Sequence, residues 1–291
     1  MSADDVVCRL FRDAAGTSGV ATSDAPAVTS AGDAARLVRL LDAHRGWTYL
    51  APRADRVAGL PAALVDRATR ERRAAVSYQI ALGADLRTCG DALDVAGIPW
   101  ACVKGPVVAA LHERRGDVRP FTDLDLLVPP ARFADALRAL SGAGAVLLDR
   151  NFALLRERTP GEVNVRAPLG TMVDLHWTLV NRRERRTRSR VATAPLLAGR
   201  VPVPTSAGDV PALAPAERLV HLCLHAAGSG AGRLVWLLDV ALSVADAVDW
   251  DAVVAVARAW GVPHAVGLVL GRSRTVLGAD VPADVVRALL G

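Results

Sequence analysis

The chain has 291 residues, 52% of them apolar and 22% charged, which excludes a disordered polypeptide and suffices for one large domain or two small ones. A net charge of +5 and a pI near 9.5 favour an anionic partner such as a nucleotide, nucleic acid or phosphorylated substrate, but say nothing about fold. A membrane span is not expected, because the most apolar stretch, 219–248, is interrupted by His221, His225, Arg233, Asp239 and Asp246.

The first residues carry Asp4 and Asp5 where a secretion signal would be basic. Four scattered cysteines, Cys8, Cys89, Cys102 and Cys223, have neither zinc-site nor disulfide-scaffold spacing. Both features predict a cytoplasmic protein with reduced thiols. The Ser/Thr/Ala/Gly-rich run from Gly16 to Gly32 makes residues 1–32 a flexible lead-in. Residues 33–97 read as an N-terminal helical segment, with Leu37, Leu40 and Leu41 at helical spacing, a second stretch over 62–68, and a longer one over 71–95.

At Gly97-Ile98-Pro99 the texture changes, and residues 98–180 read as a small mixed α/β core. A strand over 100–103 runs into Lys104-Gly105-Pro106 and a helix through Val107, Val108 and Leu111, the order that aims backbone N–H groups at a phosphate. A strand over 122–128 precedes a helix with Phe133, Leu137 and Leu140 on one face. Further strands are expected over 145–148, 152–158, 162–167 and 172–179. Residues 181–214 read as an arginine-rich connector and a Pro/Ala/Gly-rich loop, and 215–291 as a C-terminal domain of four or five helices. The fold class is therefore α+β, a small mixed sheet flanked by helical segments.

Asp123 and Asp125 lie two apart, so on a strand their carboxylates share a face while Leu124 and Leu126 point the other way. Neighbouring carboxylates are stable mainly with a cation between them, and hard oxygen donors suit Mg²⁺. Asp174, a lone acid within another apolar strand, would supply a third ligand. Lys104 is the single lysine among 35 basic residues, and its compact ammonium contacts phosphate differently from a guanidinium fork.

These residues together resemble the nucleotidyltransferases of the DNA polymerase β-like superfamily, and most closely a bacterial family of uncharacterised nucleotidyltransferases. The resemblance rests on Gly97-Ile98-Pro99 with Val103-Lys104-Gly105-Pro106, on Arg119-Pro120 with Asp123-Leu-Asp125-Leu-Leu-Val128, on Val173-Asp174-Leu175-His176-Trp177, and on the helices from His221 to Asp239. It spans most of residues 60–245. Where the wider superfamily usually carries Gly-Ser after the first strand, this chain has Lys104-Gly105-Pro106. The resemblance implies that Asp123, Asp125 and Asp174 are catalytic and hold two Mg²⁺ ions, with Asp174 also a base toward the attacking hydroxyl. It further implies that an NTP, ATP among the candidates, is the co-substrate. Lys104 and Gly105 would receive its phosphates, and Arg119 would pair with a phosphate or with Asp125.

His176 shares a strand face with Asp174 and is expected either to extend the metal site or to be structural. Glu217, His221 and His225 share a helical face; a zinc reading lacks a further ligand, so this face is expected to line a cleft where His225 or Asp239 touches the acceptor substrate. Arg182, Arg183, Arg185, Arg186, Arg188 and Arg190 form either a solvated loop or a clamp for RNA or a phosphorylated acceptor. Aromatic residues make up only 4% of the chain, which disfavours a single-strand binding groove. The leading expectation is Mg²⁺-dependent transfer of a nucleoside monophosphate to a small molecule, peptide or protein. A tRNA-modifying, toxin-like enzyme and a non-catalytic nucleotide binder are the rivals.

Overall fold

Ser2 accepts a hydrogen bond from the Asp5 N–H while the Asp5 carboxylate accepts from the Ser2 N–H, a reciprocal cap that starts helix α1 (Ala3–Ala15). Gly16, at φ 74°, ends it. Val6, Val7, Leu10 and Phe11 are buried on its inner face. The computed structural model describes residues 2–17, 27–149, 161–180 and 189–291. Within them, residues 3–15 are a packed helix, not part of a flexible lead-in.

Helix α2 (Ala31–His44) packs on α1, followed by the short α3 (Trp47–Leu50) and a 3₁₀ turn over Ala51–Arg56. The apolar stretches expected at 62–68 and 71–95 are one 34-residue helix, α4 (Ala62–Val95). No glycine or proline separates them, so nothing breaks the backbone ladder between Ala68 and Arg72.

The core contains strands β1 (Ala101–Cys102), β2 (Asp123–Leu127), β3 (Val146–Leu147), β4 (Glu162–Arg166) and β5 (Met172–His176), with helices α5 (Pro106–Glu113) and α6 (Phe133–Gly142). The strand expected over 152–158 lies outside the described residues. Beyond β5, helix α7 (Thr193–Ala198) leads to a hairpin of β6 (Val201–Thr205) and β7 (Gly208–Ala212). Where a loop was expected, β7 joins the sheet beside β1, and β6 forms its edge. Pro202 and Pro204 remove ladder donors without breaking the strand, as an edge position permits.

The seven strands run in the order β3-β4-β5-β2-β1-β7-β6, with β2 parallel to β5, β1 parallel to β7, and the remaining pairs antiparallel. Leu124, Leu126, Val173 and Leu175 point to one face and pack with Leu82, Leu86 and Leu93 of α4 and Leu140 of α6. The opposite face carries Ala101, Val103 and Leu127 into a second core built from α1, α2 and the C-terminal helices. Those helices are α8 (Pro215–Gly228), α9 (Leu234–Ser243), α10 (Trp250–Ala259), α11 (Pro263–Leu277) and α12 (Ala283–Leu290). No helix among the described residues is long and apolar enough to cross a membrane.

Candidate active site

β2 and β5 are parallel neighbours in a register that sets Asp125 directly beside Asp174 and Leu127 beside His176. Strand pleat then puts Asp123, Asp125, Asp174 and His176 on the face toward the C-terminal helices, because the intervening Leu124, Leu126, Val173 and Leu175 fill the opposite core. Asp125, Asp174 and His176 each bring a ligand atom within 4.8 Å of the others. Asp123, at the start of β2, stands outside that group, and its carboxylate has no hydrogen bond or ion pair among the described residues.

Lys104 Nζ lies 2.8 Å from Asp125 Oδ1, and the His176 Nε2–H donates to the same oxygen at 3.1 Å. His176 Nδ1 lies 3.0 Å from Glu162 Oε2, an ion-pair contact that is not aligned as a hydrogen bond. Asn164 Nδ2 donates to Asp174 Oδ1 at 3.0 Å. Glu162 and Asn164 arrive because antiparallel β4 sets them opposite His176 and Asp174. Sequence reasoning overlooked both, although the alternation Glu162-Val-Asn164-Val places them on one strand face.

Burial alone would raise the Asp125 carboxyl, but the charge of Lys104 and the bond from His176 hold it well below the usual range. Burial also lowers the Lys104 ammonium, and Asp125 with Asp123 more than offsets this, leaving it above an ordinary lysine. For His176 the burial penalty is overcome by Asp125 and Glu162, which lift the imidazole to about 9. Asp174 moves the opposite way: burial first, then the negative charges of Asp125 and Glu162, push it up to about 6. One carboxylate is thus held ionised by its neighbours while the other is pushed toward its neutral form.

Gly105 caps α5 at φ 56°, ψ −116°, and a Cβ there would sit 3.3 Å from the Asp123 carbonyl oxygen and 3.4 Å from the Phe121 ring. Pro106 opens the helix beside Lys104, and no side chain caps its first turn.

Arg119 and Asp239 do not stand free for a ligand. The Arg119 fork donates both ways to Asp239, at 2.7 Å and 2.7 Å, with the pair buried. The His112 Nε2–H donates to Asp239 Oδ1 at 2.9 Å, and the Tyr49 hydroxyl donates to His112 Nδ1 at 3.0 Å. This replaces the expected contacts of Arg119 with phosphate or Asp125 and of Asp239 with an acceptor. The reason is that an unpaired buried guanidinium would be costly, and α9 brings the Asp239 carboxylate to it.

A cavity of about 490 Å³ opens next to this cluster, with Lys104 and His176 at one end and His221 and His225 of α8 along its wall. The α8 face thus lines a cleft against the α/β core. His225 also packs edge-on against Trp236, at 5.4 Å between ring centres. Most of the arginine run lies outside the described residues; the Arg190 N–H bonds the Trp260 carbonyl.

The family described as "uncharacterised nucleotidyltransferase" matches residues 30–278. The chain belongs to that family. It is similar to the solved antibiotic-resistance factor ANT(2″)-Ia at 12% identity and a TM-score of 0.39, over 72% of this chain and 89% of that one. No curated protein matches the nucleotidyltransferase.

Proposed function

We propose that this nucleotidyltransferase, a member of the DNA polymerase β-like superfamily, moves a nucleoside monophosphate from an NTP to a hydroxyl or phosphate acceptor and releases pyrophosphate. The observation that carries the reading is the in-register pair Asp125–Asp174, joined by His176 and faced by Lys104 next to the bare N-terminus of α5.

The donor set fits divalent cations. Asp125 and Asp174 stand side by side in register with ligand atoms in reach of each other and of His176, and burial with the Asp125 charge pushes Asp174 up to about 6. Asp125 and Asp174, with Asp123 at the start of β2, would hold Mg²⁺, in two ions on this reading. When bound, Mg²⁺ neutralises charge that develops on the transferring phosphoryl group and on the leaving pyrophosphate. Lys104 and the first N–H groups of α5 bind the β- and γ-phosphates. Asp174 accepts the acceptor's proton, with Asn164 fixing its orientation through the bond to Oδ1. His176, tied to Asp125 and Glu162, keeps that carboxylate aimed. Four free thiols accord with a cytoplasmic setting.

Calorimetry with each NTP and Mg²⁺ tests the site: wild type should bind, and Asp125→Ala should lose at least tenfold in affinity. Equal affinity in both would overturn the assignment of Asp125. Incubation with α-labelled NTP and a small-metabolite extract should then move label into an acceptor. Label appearing in tRNA instead would favour an RNA-modifying enzyme, and binding without transfer to any acceptor a non-catalytic relative.

A further inference from the structure

The cavity beside the aspartates contains polar atoms that the site above does not use. His221 is 6% exposed and lines it, yet neither ring nitrogen has a hydrogen-bond partner among the described residues. Ser189 Oγ, also in the lining, is likewise buried and unpartnered. Buried polar atoms without partners cost roughly 1–3 kcal/mol each, so three around one cavity point to a ligand that satisfies them.

The remaining lining says what that ligand is. Leu179, Val180, Leu224 and Val262 make most of the wall apolar, and among the described residues no carboxylate or guanidinium lines it. Its two cations, Lys104 and His176, are already bound to Asp125. His221, kept neutral by burial, offers one donor and one acceptor, which matches a hydroxyl or another uncharged polar group.

We propose that this cavity is the acceptor subsite, that it takes an uncharged, largely apolar alcohol, and that His221 and Ser189 bind a polar group of that molecule. The proposal rests on the nucleotidyl-transfer reading for its role, but its binding chemistry stands apart from NTP and metal. At the Lys104–His176 end the acceptor oxygen forms a bond to the α-phosphorus, and the bond from that phosphorus to the pyrophosphate oxygen breaks. The hydroxyl proton goes to Asp174, and pyrophosphate leaves with the bonding electron pair.

The test uses the full chain without nucleotide or divalent metal. Nitrogen-15 NMR of the histidine rings would be followed while 1-hexanol, benzyl alcohol, hexylamine, hexanoate and adenosine are titrated in, with His221 assigned through His221→Gln. The alcohols should shift the His221 signals and bind at least tenfold more tightly than the amine or the acid. His221→Gln and Ser189→Ala should each weaken alcohol binding three- to tenfold, and Leu224→Trp, which fills the cavity, should abolish it. Adenosine displacing benzyl alcohol, tighter binding of the amine or acid, or His221 signals unmoved by either alcohol would overturn the assignment. If these alcohols bind while NTP does not, the transfer reading fails and the pocket stands. If NTP binds with Mg²⁺ while the alcohols do not, only this inference falls.

Discussion

Asp239 accepts from Arg119 twice and from His112 once, entirely inside the protein, and these partners hold its carboxyl down to about 2 against the upward push of burial. Asp239→Asn would leave the Arg119 charge buried and uncompensated, so urea unfolding should show a loss of about 3–5 kcal/mol. Gly105 is the second exacting position. Gly105→Ala places a methyl against the Asp123 carbonyl at a positive φ, costing about 1–3 kcal/mol in thermal unfolding and weakening NTP binding by moving the α5 N-terminus. His225 sets a pH dependence. Burial and the Lys104 charge lower its pKa to about 4, against about 6.5 in the unfolded chain. The unfolded chain therefore takes up a proton first on acidification. Stability is full above about pH 6.5 and falls toward pH 4 by up to about 3 kcal/mol, and Tm measured across that window should decline less in His225→Phe than in wild type.

Helices and strands differed in how much of them could be read in advance. β2 and β5 were legible because acid and leucine alternate with period two, and the five C-terminal helices because Gly, Asp and Pro punctuate them. Helix α1 carried its own signals, a Ser2–Asp5 capping box, apolar residues on one face and Gly16 behind them, but the Ser/Thr/Gly-rich run after it dominated the reading of residues 1–32. The β6–β7 hairpin was hidden by its prolines: Pro202 and Pro204 are tolerated because β6 is the sheet edge, a placement no local pattern announces. Phe11, fully buried and 5.1 Å from the Tyr49 ring, gives α1 a measurable role: Phe11→Ala should lower the urea midpoint by the equivalent of about 3–4 kcal/mol with little change in the slope. A value near zero would mean α1 is not part of the cooperative unit.

Across the whole molecule, two cores meet at one sheet, and the candidate site lies on the face shared with the C-terminal helices. The acidic cluster was visible locally, since strand period alone aligns Asp123 with Asp125 and Asp174 with His176. What required the fold was the pairing of distant elements: Arg119 with Asp239, 120 residues apart, and Glu162 and Asn164 with the residues opposite them. No local pattern encodes which buried arginine meets which aspartate, because that choice is made by helix packing.

The two faces of β2 have opposite jobs, and one side chain in two belongs to each. A single inserted or deleted codon inside 123–127 would swap them, thrusting carboxylates into oil and leaving leucines where charge is wanted. The turn at Ser206-Ala207 between β6 and β7 has no two alternating faces to keep apart, although Ala207 touches the core. Length variation among descendants of this gene should therefore collect at that hairpin tip and spare the acidic strand.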